Sequence, residues 1–394
     1  VMRVLTTGLG WNELQPGGLN RYYVDYNQAL KQYGHSEFGL VVAEQNAELQ
    51  TSLNITNAAG SGIWSRIRAV RHHTVKAVES FRPDVFNPHF ALYASMVSRN
   101  SLPSHIPIVT HFHGPWALES KMEEGGKPRI VREARYLIKK QVEQVTYRRS
   151  DRFIVLSEYF RDILSNNYGI DHSKIHIIPG AVEHERFTPH PDRPALRAKL
   201  GIAPGQKLLF CARRIVRRMG IDRLIDAMQT VVREHPGSRL YIAGDGPMRS
   251  EYEQQIVRLG LSANVRMLGR VSNEELVEWY QAADYSIVPT ITLEGFGLVT
   301  IESMACGTPV FGTPYGGTNE ILRQVSSDLL FEDGTAEAMS GKLISALNGR
   351  LTLPTREACR EHVLQRYTWS SVAGAVTDVF REAQEIRRKG VASR

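Results

Sequence analysis

The chain has 394 residues, 42% apolar and 23% charged, enough for about two to three domains whose cores need no disulfides. Three widely spaced cysteines, Cys211, Cys306 and Cys359, exclude a disulfide framework and show no metal-ligand spacing, so they read as buried reduced thiols in a cytoplasmic protein. No run approaches the roughly 18 apolar residues of a membrane span, Met2-Arg3-Val4-Leu5 enters a strand rather than a signal peptide, and the net charge of +7 favours anionic partners, with no motif for nucleic acid.

Strand-like and helix-like segments alternate along the chain, the pattern of α/β layers on parallel sheets. Arg3-Val4-Leu5-Thr6-Thr7 reads as a buried strand, and Gly17-Gly18 breaks the chain before a helical stretch over 19–33. Further strands are expected at 36–42, 84–87, 107–111, 152–156 and 174–178, with helices near 64–81, 127–149 and 158–166. Basic residues crowd the second of these helices: Lys127, Arg129, Arg132, Arg135, Lys139, Lys140, Arg148 and Arg149, against Glu133 and Glu143. Arg66, Arg68, Arg71 and Lys76 form a second basic segment. Two readings are open, a solvated helix face or contact with an anionic acceptor or anionic headgroups, the latter peripheral at the inner face of a membrane.

The segment 179–189, rich in Pro, Gly and charge, interrupts the rhythm and reads as a linker. After it, strands are expected at 208–211, 239–243, 265–268, 285–288 and 309–311, a helix at 220–234, and a last amphipathic helix at 370–388. The expected architecture is two Rossmann-like parallel-sheet domains, 1–182 and 183–369, facing each other across a cleft, with helix 370–388 packing back on the first. Ligands of such sheets bind at the carboxyl ends of the strands, which makes the cleft the expected active site.

The densest chemical signal is Thr290 to Cys306. A strand ends near Pro289, a glycine-containing loop follows, and an apolar helix starts about Gly297. The free N–H groups of Gly297, Leu298 and Val299 at a helix N-terminus form an anion site, and glycines at 295 and 297 let the backbone approach a ligand. Glu302 falls one turn beyond Leu298, where its carboxylate can accept from a pair of hydroxyls such as a ribose diol. Glu294 precedes the helix, placed to hold sugar hydroxyls beyond a diphosphate. A helix start with Glu294 near its cap and Glu302 solvated accounts for the same spacing equally well.

The segment Glu294-Gly-Phe-Gly-Leu-Val-Thr-Ile-Glu302 resembles the E-x7-E motif of the retaining glycosyltransferases of family 4, which have the GT-B fold. Other segments resemble that family in the same order: Pro16-Gly17-Gly18, Thr110 to Trp116 with its histidines, Ile178 to Phe187, Ala243 to Pro247, Leu268 to Val271, and Ala305 to Val310. The resemblance covers essentially the whole chain. It implies an N-terminal acceptor domain and a C-terminal donor domain. It places Glu294 on the transferred sugar, Glu302 on the ribose, and the backbone of Phe296, Gly297 and Leu298 on the diphosphate. It puts His113 beside the sugar as a hydrogen-bond donor, His111 in a structural role, and the loop at Gly18 near the donor phosphates or the acceptor.

The family commonly neutralises the leaving diphosphate with an arginine and, five residues on, a lysine. Gap-free matching puts these at Arg214 and Met219, and methionine bears no charge. Arg218 is the expected substitute, with Arg213 and Arg217 as alternatives. The implied reaction moves a sugar from a nucleoside-diphosphate donor to a hydroxyl of a glycan, lipid-linked or small-molecule acceptor. It proceeds with retention and, in the absence of an Asp-x-Asp signature, with neither metal nor other cofactor. A non-catalytic sugar-nucleotide or lipid-binding module, or a nucleotide-sugar hydrolase or epimerase of the same fold, is the alternative. A nicotinamide dehydrogenase is excluded because Gly8-Leu-Gly10 continues without the third glycine of the dinucleotide fingerprint.

Overall fold

The computed structural model describes residues 1–10, 17–42, 54–55, 62–126 and 128–392. Pro16 and Lys127 lie outside the described residues. The chain forms two compact units, Val1–Ala181 with Trp369–Arg394, and Val182–Thr368.

In the first unit, β1 (Arg3–Thr7) pairs in parallel with β2 (Ser36–Val41) and β4 (Val85–Pro88), and β2 pairs with β3 (Asn54–Ile55). A parallel bridge between Phe86 and Ile108 leads on to β5 (Val109–Phe112), β6 (Arg152–Val155) and β7 (Ile175–Ile177), a three-stranded parallel sheet. Residues 4–7, 85–88 and 109–112 are buried without alternation, polar residues included, the burial pattern of parallel strands inside a layered α/β unit. The helix Ser157 opens is capped by its own hydroxyl, which accepts from Phe160 N. The last helix, Trp369–Ala392, docks on this unit through polar contacts. His35 Nε2 lies 2.8 Å from Thr377 Oγ1, Arg152 Nε donates to Glu382 at 2.6 Å, and Arg387 pairs with Asp151 at 2.6 Å.

The second unit is a five-stranded parallel sheet in the order β10 (Val265–Gly269), β9 (Ser238–Ala243), β8 (Lys207–Ala212), β11 (Tyr285–Val288), β12 (Val310–Gly312). The helix Ile221–Glu234 shows why it packs there: Ile221, Leu224, Ile225, Met228 and Val231 recur on one face and are buried. Ser272 and Glu275 close a reciprocal capping box at the helix Asn273–Ala282. The chain leaves β8 towards β9 and β10, then returns to its other side through β11 and β12. The strand order therefore reverses between β8 and β11, and such a crevice at the carboxyl ends is where open parallel sheets take ligands. In the first unit the same reversal falls between β1 and β4.

Candidate functional site

The loops leaving β8 and β11 supply the site of the second unit. β8 ends at Ala212 and releases Arg213, and β11 ends at Val288 and releases Thr290 and Glu294. Arg213 and Glu294 form an ion pair, with side chains only 7% and 8% exposed, and Arg213 also donates to Thr290 Oγ1. Burial pulls the Arg213 guanidinium down to about 10, which leaves it cationic at neutral pH. Gly244, at φ +135, lets the loop after β9 pass this arginine, since a Cβ there would stand 1.8 Å from the Arg213 carbonyl oxygen.

Glu294 is reached through a strained turn. Leu293 adopts φ 56, a left-handed conformation that costs a bulky residue on the order of 1–3 kcal/mol. Its side chain is buried, and Arg218 Nη1 donates to its carbonyl at 3.1 Å. Behind Glu294, its own carbonyl accepts from Gly317 N at 2.9 Å. Gly297 then takes φ 90 to start the helix Leu298–Ala305; a Cβ on it would lie 2.2 Å from Thr318 Oγ1, so only glycine fits. The amides of Leu298 and Val299 fall in the first turn, where the helix supplies no acceptor. Phe296 is buried edge-on against Tyr367, the ring centroids 5.6 Å apart. Glu302 is buried rather than solvated, and accepts from Tyr280 Oη at 3.2 Å.

The structure redistributes the four arginines of the loop. Arg214 is exposed; Arg217 is exposed and pairs with Glu251 at 3.2 Å. Arg218 is buried and holds the Leu293 turn. Met219 is buried with its Sδ 3.7 Å from Thr290 Oγ1. The arginine beside Glu294 is Arg213, one position before the residue that sequence matching selects.

Gly18 and His113 belong to the first unit. Gly18 is exposed and opens the helix Gly18–Gln32. His113 follows β5 and belongs to a polar cluster whose orientation is fixed by one carbonyl. Asn87 Nδ2 donates to Val109 O at 2.5 Å; a carbonyl only accepts, so Asn87 Oδ1 faces the other way. It accepts there from Tyr26 Oη at 2.7 Å and from His89 Nε2 at 3.1 Å. With its proton on Nε2, neutral His89 accepts at Nδ1 from His113 Nε2, 3.0 Å away. Asn87 Nδ2 also faces His111 Nδ1 at 3.2 Å, which puts the His111 proton on Nε2, 3.4 Å from Tyr22 Oη. The rings of His89 and His111 stack with centroids 4.1 Å apart. Burial holds His89 and His111 well below the usual histidine range and His113 down at about 3, so all three are neutral near pH 7. The Nε2–H of His113, expected to be its donor, is therefore given to His89, and Nδ1 is the acceptor nitrogen of the ring. Sequence reasoning missed His89; the sole signal was its place just past a strand, in Asn87-Pro88-His89.

The basic helix is Arg129–Arg149. Several of its charges are absorbed: Arg135 and Lys139 pair with Glu124 at 3.0 and 2.8 Å, and Arg149 donates to the carbonyls of Ser95 and Val97. What sequence reasoning missed is its outer apolar face, where Ile130, Leu137 and Ile138 are 84%, 56% and 65% exposed. Among the described residues no helix is long and apolar enough to cross a membrane, and no group of three or more His, Cys, Asp or Glu side chains is placed to hold a metal ion.

Residues 16–186 match the family described as Glycosyltransferase Family 4, and residues 192–366 match Glycosyl transferases group 1. The chain belongs to the family 4, group 1 glycosyltransferases. This glycosyltransferase is similar to the D-inositol 3-phosphate glycosyltransferase of Streptomyces bingchenggensis, 28% identical over 340 residues, 82% of this chain and 73% of that protein. It is also similar to the GDP-mannose-dependent monoacylated alpha-(1-6)-phosphatidylinositol monomannoside mannosyltransferase of Corynebacterium glutamicum. That match is 30% identical over 242 residues, 59% of this chain and 62% of that one. With the D-inositol 3-phosphate glycosyltransferase of Segniliparus rotundus the match spans 53% of the relative's length, so the chain covers less than two thirds of most such relatives. Among solved structures, sucrose-phosphate synthase from Thermosynechococcus elongatus superposes with a TM-score of 0.79 at 19% identity, covering 97% of this chain and 99% of that one. Anabaena HepE in complex with UDP-glucose gives a TM-score of 0.75 at 18% identity, covering 97% and 100%. At such identity these likenesses establish the fold, and the glycosyltransferase has the GT-B fold.

Proposed function

We propose that this glycosyltransferase moves a sugar from a nucleoside-diphosphate donor to a hydroxyl acceptor with retention of anomeric configuration, and without a resident metal ion. The observation that carries this reading is the β8–β11 crevice, where a buried carboxylate, a buried guanidinium and a glycine-initiated helix start converge. The first-turn amides of the helix Leu298–Ala305, with Gly297 and the Phe296 backbone, bind the diphosphate. The arginines of the loop 213–218 neutralise the charge that develops as the diphosphate leaves, the task a cation serves elsewhere. Glu302 takes the ribose and Glu294 the hydroxyls of the transferred sugar. His113 stands beside that sugar and Gly18 on the loop that approaches the donor. No carboxylate is assigned as a covalent nucleophile, so the acceptor hydroxyl attacks from the face the leaving phosphate vacates, and the phosphate takes its proton.

Relatives are named for GDP-mannose as donor and for inositol 3-phosphate or a phosphatidylinositol mannoside as acceptor. A polyol or lipid-linked acceptor accords with the helix Arg129–Arg149, whose exposed aliphatic side chains and flanking Arg129, Lys140 and Arg148 suit the surface of an anionic membrane. The test is turnover of UDP-, GDP-, ADP- and TDP-sugars with and without hydroxyl acceptors, in EDTA, with the anomeric configuration of the product read by NMR. Transfer only with acceptor, retained configuration and insensitivity to EDTA are expected; donor hydrolysis alone, inversion or metal dependence would each overturn the corresponding part. For the membrane contact, Ile138→Asp is expected to abolish cosedimentation with anionic vesicles, and unchanged cosedimentation would sink it.

A further inference from the structure

A leaving diphosphate needs a cation in the β8–β11 crevice, and the structure shows where one is held. Thr290 Oγ1 lies 3.7 Å from Met219 Sδ, and the same hydroxyl accepts a hydrogen bond from Arg213 Nη2. The tip of residue 219 and the guanidinium of residue 213 thus meet at one hydroxyl. A cationic side chain at 219 would deliver its charge to the place Arg213 already fills from the other end of the loop.

Three further observations single out Arg213. Its side chain is 7% exposed, yet its Nε has no hydrogen-bond partner among the described residues. A buried N–H without an acceptor is costly, and two phosphate oxygens match the guanidinium fork. Its other contacts, Glu294 and Thr290, both lie on the loop that carries the sugar-facing carboxylate. Its neighbours are otherwise engaged: Arg217 pairs with Glu251 on the surface, and Arg218 supports the Leu293 carbonyl.

We propose that Arg213 is the cation that binds the donor diphosphate, supplying from position 213 the charge that Met219 lacks, and that the phosphate oxygens draw it from Glu294. Donor loading and the release of Glu294 to the sugar hydroxyls are then one event. The proposal rests on the donor-site reading given above, and it shifts the diphosphate contact from Arg214 and Arg218 to Arg213.

The experiment measures binding of UDP, GDP and ADP by calorimetry to the wild type and to Arg213→Gln, Arg213→Lys, Met219→Lys and the double variant Arg213→Gln/Met219→Lys, each with its thermal unfolding curve. Losing a charged hydrogen-bond donor corresponds to about 10- to 100-fold in affinity, so Arg213→Gln is expected to bind the preferred nucleotide that much more weakly. Arg213→Lys keeps the charge and is expected to bind between the two. The decisive result is the double variant: a lysine at 219 restores binding to within about threefold of the wild type if charge at that hydroxyl is what matters. Binding by Arg213→Gln equal to wild type overturns the proposal. So does a double variant that melts like the wild type yet binds as weakly as Arg213→Gln. Should Arg213→Gln not fold, Arg213→Lys carries the test, and wild-type affinity or abolished binding in a folded Arg213→Lys overturns it equally. If the wild type binds none of the three nucleotides, the donor-site reading itself falls, an outcome distinct from the loss confined to the variants.

Discussion

In the Glu294→Ala variant, the guanidinium of Arg213 stays buried beside Thr290 but loses its counter-charge. Breaking a buried ion pair from one side costs about 3–5 kcal/mol, because the remaining charge is left uncompensated. Thr290 still accepts from Arg213, so the lower figure applies, about 3 kcal/mol. For a unit of this size that lowers the melting temperature by about 6–12 °C. Ligand linkage supplies the second half of the prediction. A nucleoside diphosphate brings negative charge to the same guanidinium, so it binds the variant at least as tightly as the wild type. At about 100 times its Kd it restores about 2.7 kcal/mol. Transfer, by contrast, falls by at least about 100-fold, the scale of removing one group that contacts the reacting sugar in the transition state. The assays are thermal unfolding with and without nucleotide, calorimetric binding, and turnover of the donor that the wild type prefers. Near-normal turnover would refute the assignment of Glu294 to the sugar. Nucleotide binding lost in step with turnover would refute its separation from the diphosphate site.

Other outcomes follow from single residues. Glu143 accepts from Tyr168 Oη at 2.6 Å and from Ala117 N at 3.3 Å, and burial raises its carboxyl from 4.5 to about 7. A folded-state value above the unfolded one means stability that is complete below pH 4.5 and lost as pH rises through 7. The stability difference between wild type and Glu143→Gln should therefore shift by about 2–3 kcal/mol between pH 5 and 8, in the direction that favours the variant at pH 8; a flat difference in urea denaturation rejects this. His113, held at about 3, should contribute no inflection to the rate profile between pH 5.5 and 7.5. Nitrogen NMR should show its proton on Nε2 in wild type and in His89→Asn, which keeps an acceptor, but not fixed there in His89→Leu. Gly297→Ala should destabilise more than Gly205→Ala: both glycines have positive φ (+90 and +81), costing about 1–2 kcal/mol, but only at 297 would the new Cβ strike Thr318. Equal melting temperatures for the two variants would show that the helix start is not tightly seated.

The strand β8 is readable in the sequence because a fully buried parallel strand is a short continuous apolar run, here Leu208 to Cys211. The Glu294–Glu302 segment is readable because its chemistry is local: strand end, glycine loop and helix start lie within one stretch of chain. Arg213 was harder to choose because successive residues at a strand end point to opposite sides. One of two adjacent arginines turns into the crevice and the other to solvent, and sequence spacing does not say which. His89 and His113 stand 24 positions apart and meet because β4 runs beside β5; no local pattern records that. The basic helix misled in a different way. Counting its charges hid both their partners, such as Glu124 for Arg135 and Lys139, and the aliphatic face at Ile130, Leu137 and Ile138.

The electrostatics of the two units differ in a way that suits the division of labour proposed for them. In the second unit a buried cation is held ready by a buried carboxylate, so on the proposed reading an incoming diphosphate meets a guanidinium that is already desolvated. In the first unit Asn87 fixes the protons of His89 and His111, and through His89 that of His113, and burial keeps all three rings neutral. A neutral acceptor nitrogen suits the sugar hydroxyl proposed for His113, because such a hydroxyl donates without changing charge. Met219 fits the same logic. With the guanidinium already at Thr290, a second cation at 219 would bury like charges side by side, and the uncharged thioether avoids that repulsion while still filling the space. The departure at 219 and the arginine at 213 are on this account one substitution in two places, and the double variant of the two residues measures their coupling directly.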